Sequence, residues 1–227
     1  NLLGGLYTHP VRVTSVDSDI EDCIEAGMIL VSAAGNAAHK MDLSTGLDYN
    51  NYWTSSTLGN RYYHQGGTPQ ASSNVICTGA IDYEYTLGQE KSADFSEKGP
   101  RVDIFAPGYA IQAAIPSGAD LDSSSTTHPD NASYKIRKLQ GTSMASPQVC
   151  GILTQLLQAR PYYTQEDCLA WLQDQAVDSR LNDPTIGTPS TDYQNFRALN
   201  GANNKYLQTP FVSGLKYSFT GGISFTR

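Results

Sequence analysis

Apolar positions along this chain gather into runs of two kinds. Met28-Ile29-Leu30-Val31 and Val75-Ile76-Cys77-Thr78-Gly79-Ala80-Ile81 are short and nearly continuous, as strands covered on both faces of a parallel sheet are. From Ser143 to about Arg160 the run is long and apolar on most faces, with Met144, Val149, Cys150, Ile152, Leu153, Leu156 and Leu157. That profile predicts a central helix buried against the sheet. Pro147 falls in what is expected to be its first turn, where a missing N–H costs little, and Pro161 helps to end it.

Weaker periodicity fills in the rest. Ser18 to about Ala26 predicts a helix capped by Ser18, with Glu21 closing the capping box and Ile20, Cys23 and Ile24 on the apolar face. Gly27 ends it. Thr164 and Asp167 predict the start of another helix, whose buried face is Cys168, Leu169 and Leu172. Val102–Phe105 reads as a short strand stopped by Ala106-Pro107-Gly108, Ile111–Ile115 as an extended piece, and Lys135–Leu139 as a half-buried strand. Helix, glycine, buried strand, small-residue loop is the rhythm of a βαβ fold, so the class is α/β with a mostly parallel sheet.

Three stretches lack such a pattern. Residues 37–74 are rich in Tyr, Asn, Ser, Thr and Gly; a connection this long reads as an insertion, either with its own small core or presenting its aromatics to a partner. Residues 116–134 read as a polar loop. After about Ala176, the Pro/Gly/Thr stretch 183–190 reads as a linker to a small β-type extension or an arm docked on the body. The division expected is 1–177 for the main domain and 178–227 for linker and extension.

Composition narrows the function. With 39% hydrophobic and 16% charged residues the chain is globular, and a net charge of −7 with no basic cluster argues against a nucleic-acid partner. No run of about 18 apolar residues exists to span a membrane as a helix. The four cysteines have neither zinc nor redox-pair spacing and are expected as free thiols, with Cys23, Cys77 and Cys150 buried. Asn1 is not preceded by a leader or an initiator Met, the pattern of a processed, cleaved or trimmed piece. The setting expected is extracellular, or within a larger protein particle such as a virion.

The candidate chemistry sits at Gly141-Thr142-Ser143-Met144-Ala145-Ser146-Pro147. A small-residue turn there delivers the Ser143 hydroxyl to the first turn of a buried helix. Backbone N–H groups lack intrahelical acceptors at that end, and developing negative charge is favoured. This suits a nucleophilic serine, which also needs a base. Asn36 ends the strand–loop Ser32-Ala33-Ala34-Gly35-Asn36, beyond the carboxyl end of a parallel strand, where functional groups collect. It reads either as a turn asparagine tying down its own loop or as an amide donor.

Together these stretches resemble the subtilisin-like serine proteases (subtilases), specifically the C-terminal part of their catalytic domain. The Gly141–Pro147 stretch is similar to the nucleophile motif, Ala33-Ala34-Gly35-Asn36 to the oxyanion block, and Ala93-Asp94-Phe95-Ser96 through Ala106-Pro107-Gly108 to the segment before the nucleophile helix. The resemblance covers roughly residues 1–177 and implies a partial three-layer α/β fold whose buried helix starts at Ser143. It also implies that Ser143 is the nucleophile and that the Asn36 side chain and Ser143 N–H form the oxyanion hole, with no cofactor needed for catalysis. Many members hold structural calcium; the acidic loops around Asp42, Asp48, Asp120 and Asp122 have no regular ligand spacing, so no site is assigned.

The departures concern the base. In the family Asp and His precede the asparagine block, and only 35 residues precede Asn36. His9 is misplaced and followed by Pro10. His39, His64 and His128 come after the block and read as loop histidines, while Asp17 and Asp19 read as helix N-terminal charges. Gln148 stands where many members carry a non-triad histidine. Two readings follow. One is a serine endopeptidase whose Asp and His come from an associated upstream segment, for example after autocleavage. The other is an inactive subtilase scaffold with a structural or binding role. A lipase is disfavoured because Ala145, not Gly, stands two residues after Ser143.

Overall fold

The structure, a computed structural model, describes residues 10–57, 59–72, 74–83, 90–115, 125–181 and 199–208. Along the chain, α1 (Thr14–Glu25) leads to β1 (Val31–Ala33), then to a hairpin of β2 (Trp53–Ser55) and β3 (Gly59–Arg61), then to β4 (Ile76–Ile81), β5 (Ile104–Pro107) and β6 (Ile111–Ile115). After β7 (Thr126–His128) and β8 (Asn131–Leu139) come α2 (Thr142–Ala159) and α3 (Gln165–Gln175), with β9 (Val177–Asp178) and β10 (Lys205–Tyr206) last. The main sheet has the order β1-β4-β5-β10-β9, parallel except for β9.

Strand β4 is buried at every position, in keeping with a run that is apolar or glycine except at the small polar Thr78. Its side chains alternate between two cores. Ile76 and Ala80 pack with Ala145, Val149, Leu153 and Leu156 of α2 and Cys168 and Leu172 of α3. Cys77 and Ile81 face the other way, onto Met41, Val102, Phe105, Leu181 and Leu199. Gly79 is opposite Phe105 in the ladder, and the Phe105 ring lies where a Gly79 side chain would be. Helix α2 contacts β1, β4 and β5, so its N-terminus comes to the carboxyl ends of these three strands.

Several boundaries differ from the sequence reading. Helix α1 begins at Thr14, not Ser18, and Val13 caps it without a side-chain bond. Tertiary contacts set this start: Thr68 Oγ1 accepts the Val13 N–H at 2.9 Å, and Asp17 accepts the Thr68 and Ser72 hydroxyls at 2.8 Å each. Gly27, at φ +88°, ends the helix as expected. The first strand shifts to 31–33, leaving Met28 exposed. Residues 131–134, read as loop, belong to β8, which pairs antiparallel with both β6 and β7. Helix α2 starts one residue early and Pro147 is its sixth residue; counted from Ser143 it would be the fifth, already past the first turn, so the bond that would end at the Ser143 carbonyl is missing.

The four thiols are free, as expected, but Cys150 is exposed and Cys23 only half-buried; α2 buries a single face, and Cys150 lies off it. Thr164 and Asp167 make the full reciprocal capping box. Residues read as linker and extension contribute Leu199 to one core, Leu207 to the other, and β10 to the main sheet beside β5. A strand of two residues carries too little periodicity to be seen in sequence. The remainder of the expected extension, including Leu215–Phe219, lies outside the described residues, as does the Asn1–His9 stretch.

Candidate active site

The site is built from three strand ends and one helix start. Gly108, just past β5, donates its N–H to Ile81 O at 3.1 Å and accepts the Gly141 N–H at 2.8 Å, which brings the turn before α2 to the sheet edge. Gly108 must be glycine: a Cβ there would stand 2.5 Å from Ala80 Cβ and 2.9 Å from Gly141 O. A Gly108→Ala substitution is expected to cost about 1–3 kcal/mol through overpacking. It should also slow any reaction at Ser143 by displacing Gly141, checked by a thermal melt together with a labelling rate.

Gly141, at φ +148°, has no side chain to cap α2. The cap comes instead from 106 positions away: Thr142 N–H donates to Asn36 Oδ1 at 2.9 Å, and the Thr142 hydroxyl donates to the same oxygen at 3.1 Å. That hydroxyl in turn accepts the Gly35 N–H at 3.1 Å. Both donors fall on Oδ1, which fixes the amide orientation, so Nδ2 is the outward end. A Cβ on Gly141 would lie 3.5 Å from Asn36 Nδ2 and 3.6 Å from Ser143 N. Two N–H donors therefore border one glycine face, beside an exposed Ser143 at the second position of the helix. An anion placed there would gain both donors and the helix end.

Gln148, read from sequence only as a departure, fastens this arrangement. Its Nε2 donates to Pro107 O at 2.5 Å and to Met144 O at 3.1 Å, joining the second turn of α2 to the end of β5. Thr142, inside the motif but given no role by the sequence reading, is the hub between Asn36 and Gly35.

The other candidates lie elsewhere. His64 Nδ1 meets Lys40 O at 2.9 Å, His39 packs edge-on to Tyr63, and His128 Nδ1 accepts the Asp130 N–H at 3.2 Å. Asp17 lies in the first turn of α1, the placement expected of a helix N-terminal charge; Asp19 is on the same helix, and His9 is outside the described residues. In the acidic loop, Asp42 accepts the Leu43 and Asp48 N–H groups at 2.9 and 3.0 Å, and Lys40 Nζ sits 2.5 Å from Asp48. These carboxylate oxygens are engaged by backbone N–H donors and an ammonium. Asp120 and Asp122 lie outside the described residues. Among those described, no group of three or more His, Cys, Asp or Glu is placed to hold a metal.

Arg101 and Glu97, both buried, carried no sequence signal. Arg101 Nη2 donates to Ser72 O and Val75 O at 2.5 and 2.6 Å, and Nη1 to Asp103 Oδ2 at 2.8 Å. The same Asp103 oxygen accepts the Cys77 N–H at 2.8 Å. Burial pushes the Asp103 carboxyl above the usual range, with Arg101 and the Cys77 N–H pulling against it. Glu97 lies behind the Asn36 loop.

An α/β domain with an exposed serine in the first turn of a buried helix, whose start is capped by an asparagine from another loop, has the construction of a serine hydrolase. The profile of the subtilase family matches residues 7–206, and the chain belongs to that family. It is 29% identical over 190 residues to Subtilisin-like proteinase Mp1 of Magnaporthiopsis poae, covering 84% of this chain and 36% of that protein. To Subtilisin-like protease 5 of Arthroderma otae it is 29% identical over 150 residues, 66% of this chain and 31% of that one. The chain thus spans about a third of the length of these curated relatives. A crystal structure of a cold adapted subtilisin-like serine proteinase superposes with a TM-score of 0.56 at 20% identity, covering 88% of this chain and 51% of that one. That likeness supports the partial subtilisin-like α/β fold.

Proposed function

We propose that this chain is the nucleophile-bearing part of a serine endopeptidase. The observation that carries the reading is the lock between Asn36 and Thr142, which commits the amide oxygen to the helix start and leaves its NH2 end, with the Ser143 N–H, bordering the same face of Gly141. In this reading Ser143 Oγ attacks the scissile carbonyl of a polypeptide and passes its proton to a histidine. The carbonyl oxygen becomes an oxyanion received by Asn36 Nδ2 and Ser143 N–H. Collapse expels the amine, which takes the proton back from the histidine, and water then hydrolyses the acyl-enzyme by the same steps.

The histidine and its aspartate are assigned to a segment upstream of this sequence, because the described histidines here are engaged elsewhere. Two features fit an associated upstream segment. Among the described residues β1 pairs on one side only, with β4, and α1 has no buried residue while Val11, Val13, Val16 and Met28 stand exposed around it.

The test is a fluorophosphonate probe applied to the natural, unfractionated protein, with the label located by peptide mass spectrometry and a Ser143→Ala control. Label on Ser143, lost in the control, is the expected result. No label, with the upstream segment confirmed in the sample, would overturn the protease reading in favour of an inactive scaffold.

A further inference from the structure

Glu97 is a buried acid that the reaction scheme leaves unused. It is only 4% exposed, and its Oε2 has no hydrogen-bond partner among the described residues. Its backbone is pinned: its N–H donates to Gly35 O at 2.9 Å, and its carbonyl accepts the Ser96 hydroxyl at 2.9 Å. The carboxyl group occupies the side-chain space of Gly35, its carbon and Oε1 each 2.7 Å from the position a Gly35 Cβ would take. Gly35, at φ +116°, donates its N–H to the Thr142 hydroxyl that holds Asn36 Oδ1, and Asn36 is the next residue. The acid therefore backs directly onto the oxyanion loop.

We propose that the Glu97 carboxyl is a positioning residue for the oxyanion donors: uncharged, it braces Gly35 from behind and fixes the Asn36 amide, and ionised, it releases that brace. This rests on the reading of Ser143 and Asn36 given above. An ionised carboxylate without a partner is costly in a dry site and draws in water or swings out. Either response removes the contact with Gly35 and frees the turn that carries Asn36.

The titratable and charged groups on the elements packed around it are Cys77 on β4, His39, Lys40 and Asp42 in the loop after Asn36, and Asp94, Lys98, Arg101 and Asp103 along its own segment. Cys77 feels the Glu97 charge together with those of Arg101 and Asp103, though burial is the main cause of its raised pKa. Lys98 is itself buried and engaged. For Glu97, burial alone raises the carboxyl to about 8. The neutral form thus dominates at pH 7, and the brace is lost as pH rises through about 8. Folding stability moves the same way. A carboxyl whose pKa is raised on folding contributes fully below its unfolded value of 4.5, and that contribution falls away as pH rises through about 8.

The experiment uses the full-length protein with its upstream segment and selectively nitrogen-15-labelled asparagine. The Asn36 side-chain NH2 resonance is followed against pH in the wild type and in Glu97→Gln, which keeps the size and cannot ionise. A wild-type shift with a midpoint near 8, absent in Glu97→Gln, is the expected result. A flat wild-type profile, or the same shift in Glu97→Gln, would overturn the proposal. In parallel, fluorophosphonate acylation of Ser143 should fall about tenfold in wild type relative to Glu97→Gln between about pH 7 and 9.5. Glu97→Ala should be about tenfold slower at pH 7 with probe affinity kept, and glutamine should recover the loss. If Ser143 is unlabelled at every pH, the hydrolase reading falls, and the Asn36 titration alone decides whether Glu97 positions the loop.

Discussion

Arg101→Leu is expected to destabilise the fold by about 3–5 kcal/mol, the range found when one partner of a buried ion pair is removed. Arg101 is 4% exposed, and its guanidinium gathers three oxygens, those of Ser72, Val75 and Asp103. It serves as an internal cation where the loop leading into β4 meets the segment leading into β5. Leucine fills part of the space but leaves the Asp103 carboxylate buried beside two carbonyls that have lost their donor. Arg101→Lys keeps the charge, yet an ammonium is a compact point charge and cannot reproduce the planar fork, so an intermediate loss is expected. Urea unfolding checks both: the midpoint should fall in the order wild type, lysine, leucine. A leucine variant within about 1 kcal/mol of wild type would mean that water already serves these oxygens.

Asn36→Ala should lower the rate of Ser143 acylation by about 10²–10³-fold. That magnitude was measured for an oxyanion-hole amide of subtilisin itself and is carried over from it. The geometry here adds a second, separable effect. Asn36 Oδ1 caps α2 through the Thr142 N–H, so alanine should also cost about 1 kcal/mol of stability. Asn36→Asp separates the two roles, because a carboxylate still accepts from Thr142 but has no NH2 and sets a negative charge against the oxyanion. Its acylation rate should fall at least as far as that of Asn36→Ala, while its urea midpoint stays closer to wild type. Equal rates for Asn36→Asp and wild type would remove Asn36 from the oxyanion hole.

What was legible in the sequence follows from how local each signal is. The apolar run at 75–81 announces β4 because a strand buried on both faces needs every side chain apolar or small. The Thr164–Asp167 cap is legible because both partners sit within one turn. The Gly141–Pro147 motif marks the helix start, and the Ala-Gly-Asn turn marks a strand end. What remained hidden depends on partners far apart in the chain. Helix α1 starts at Thr14 because Thr68 and Ser72 hold Val13 and Asp17, and no local pattern encodes that.

By itself, then, the sequence determined the α/β class, the buried strand and helix, and the two residues, Ser143 and Asn36, on which the chemistry is proposed to rest. Only the tertiary structure decided how these two meet. Thr142 turns the Asn36 amide, Gln148 ties α2 to β5, Arg101 fills a nest of oxygens, and Glu97 stands behind Gly35. The physical reason is common to all four. A hydrogen bond or a buried charge draws its energy from geometry between segments, whereas hydrophobic periodicity is written along one segment and can be read there.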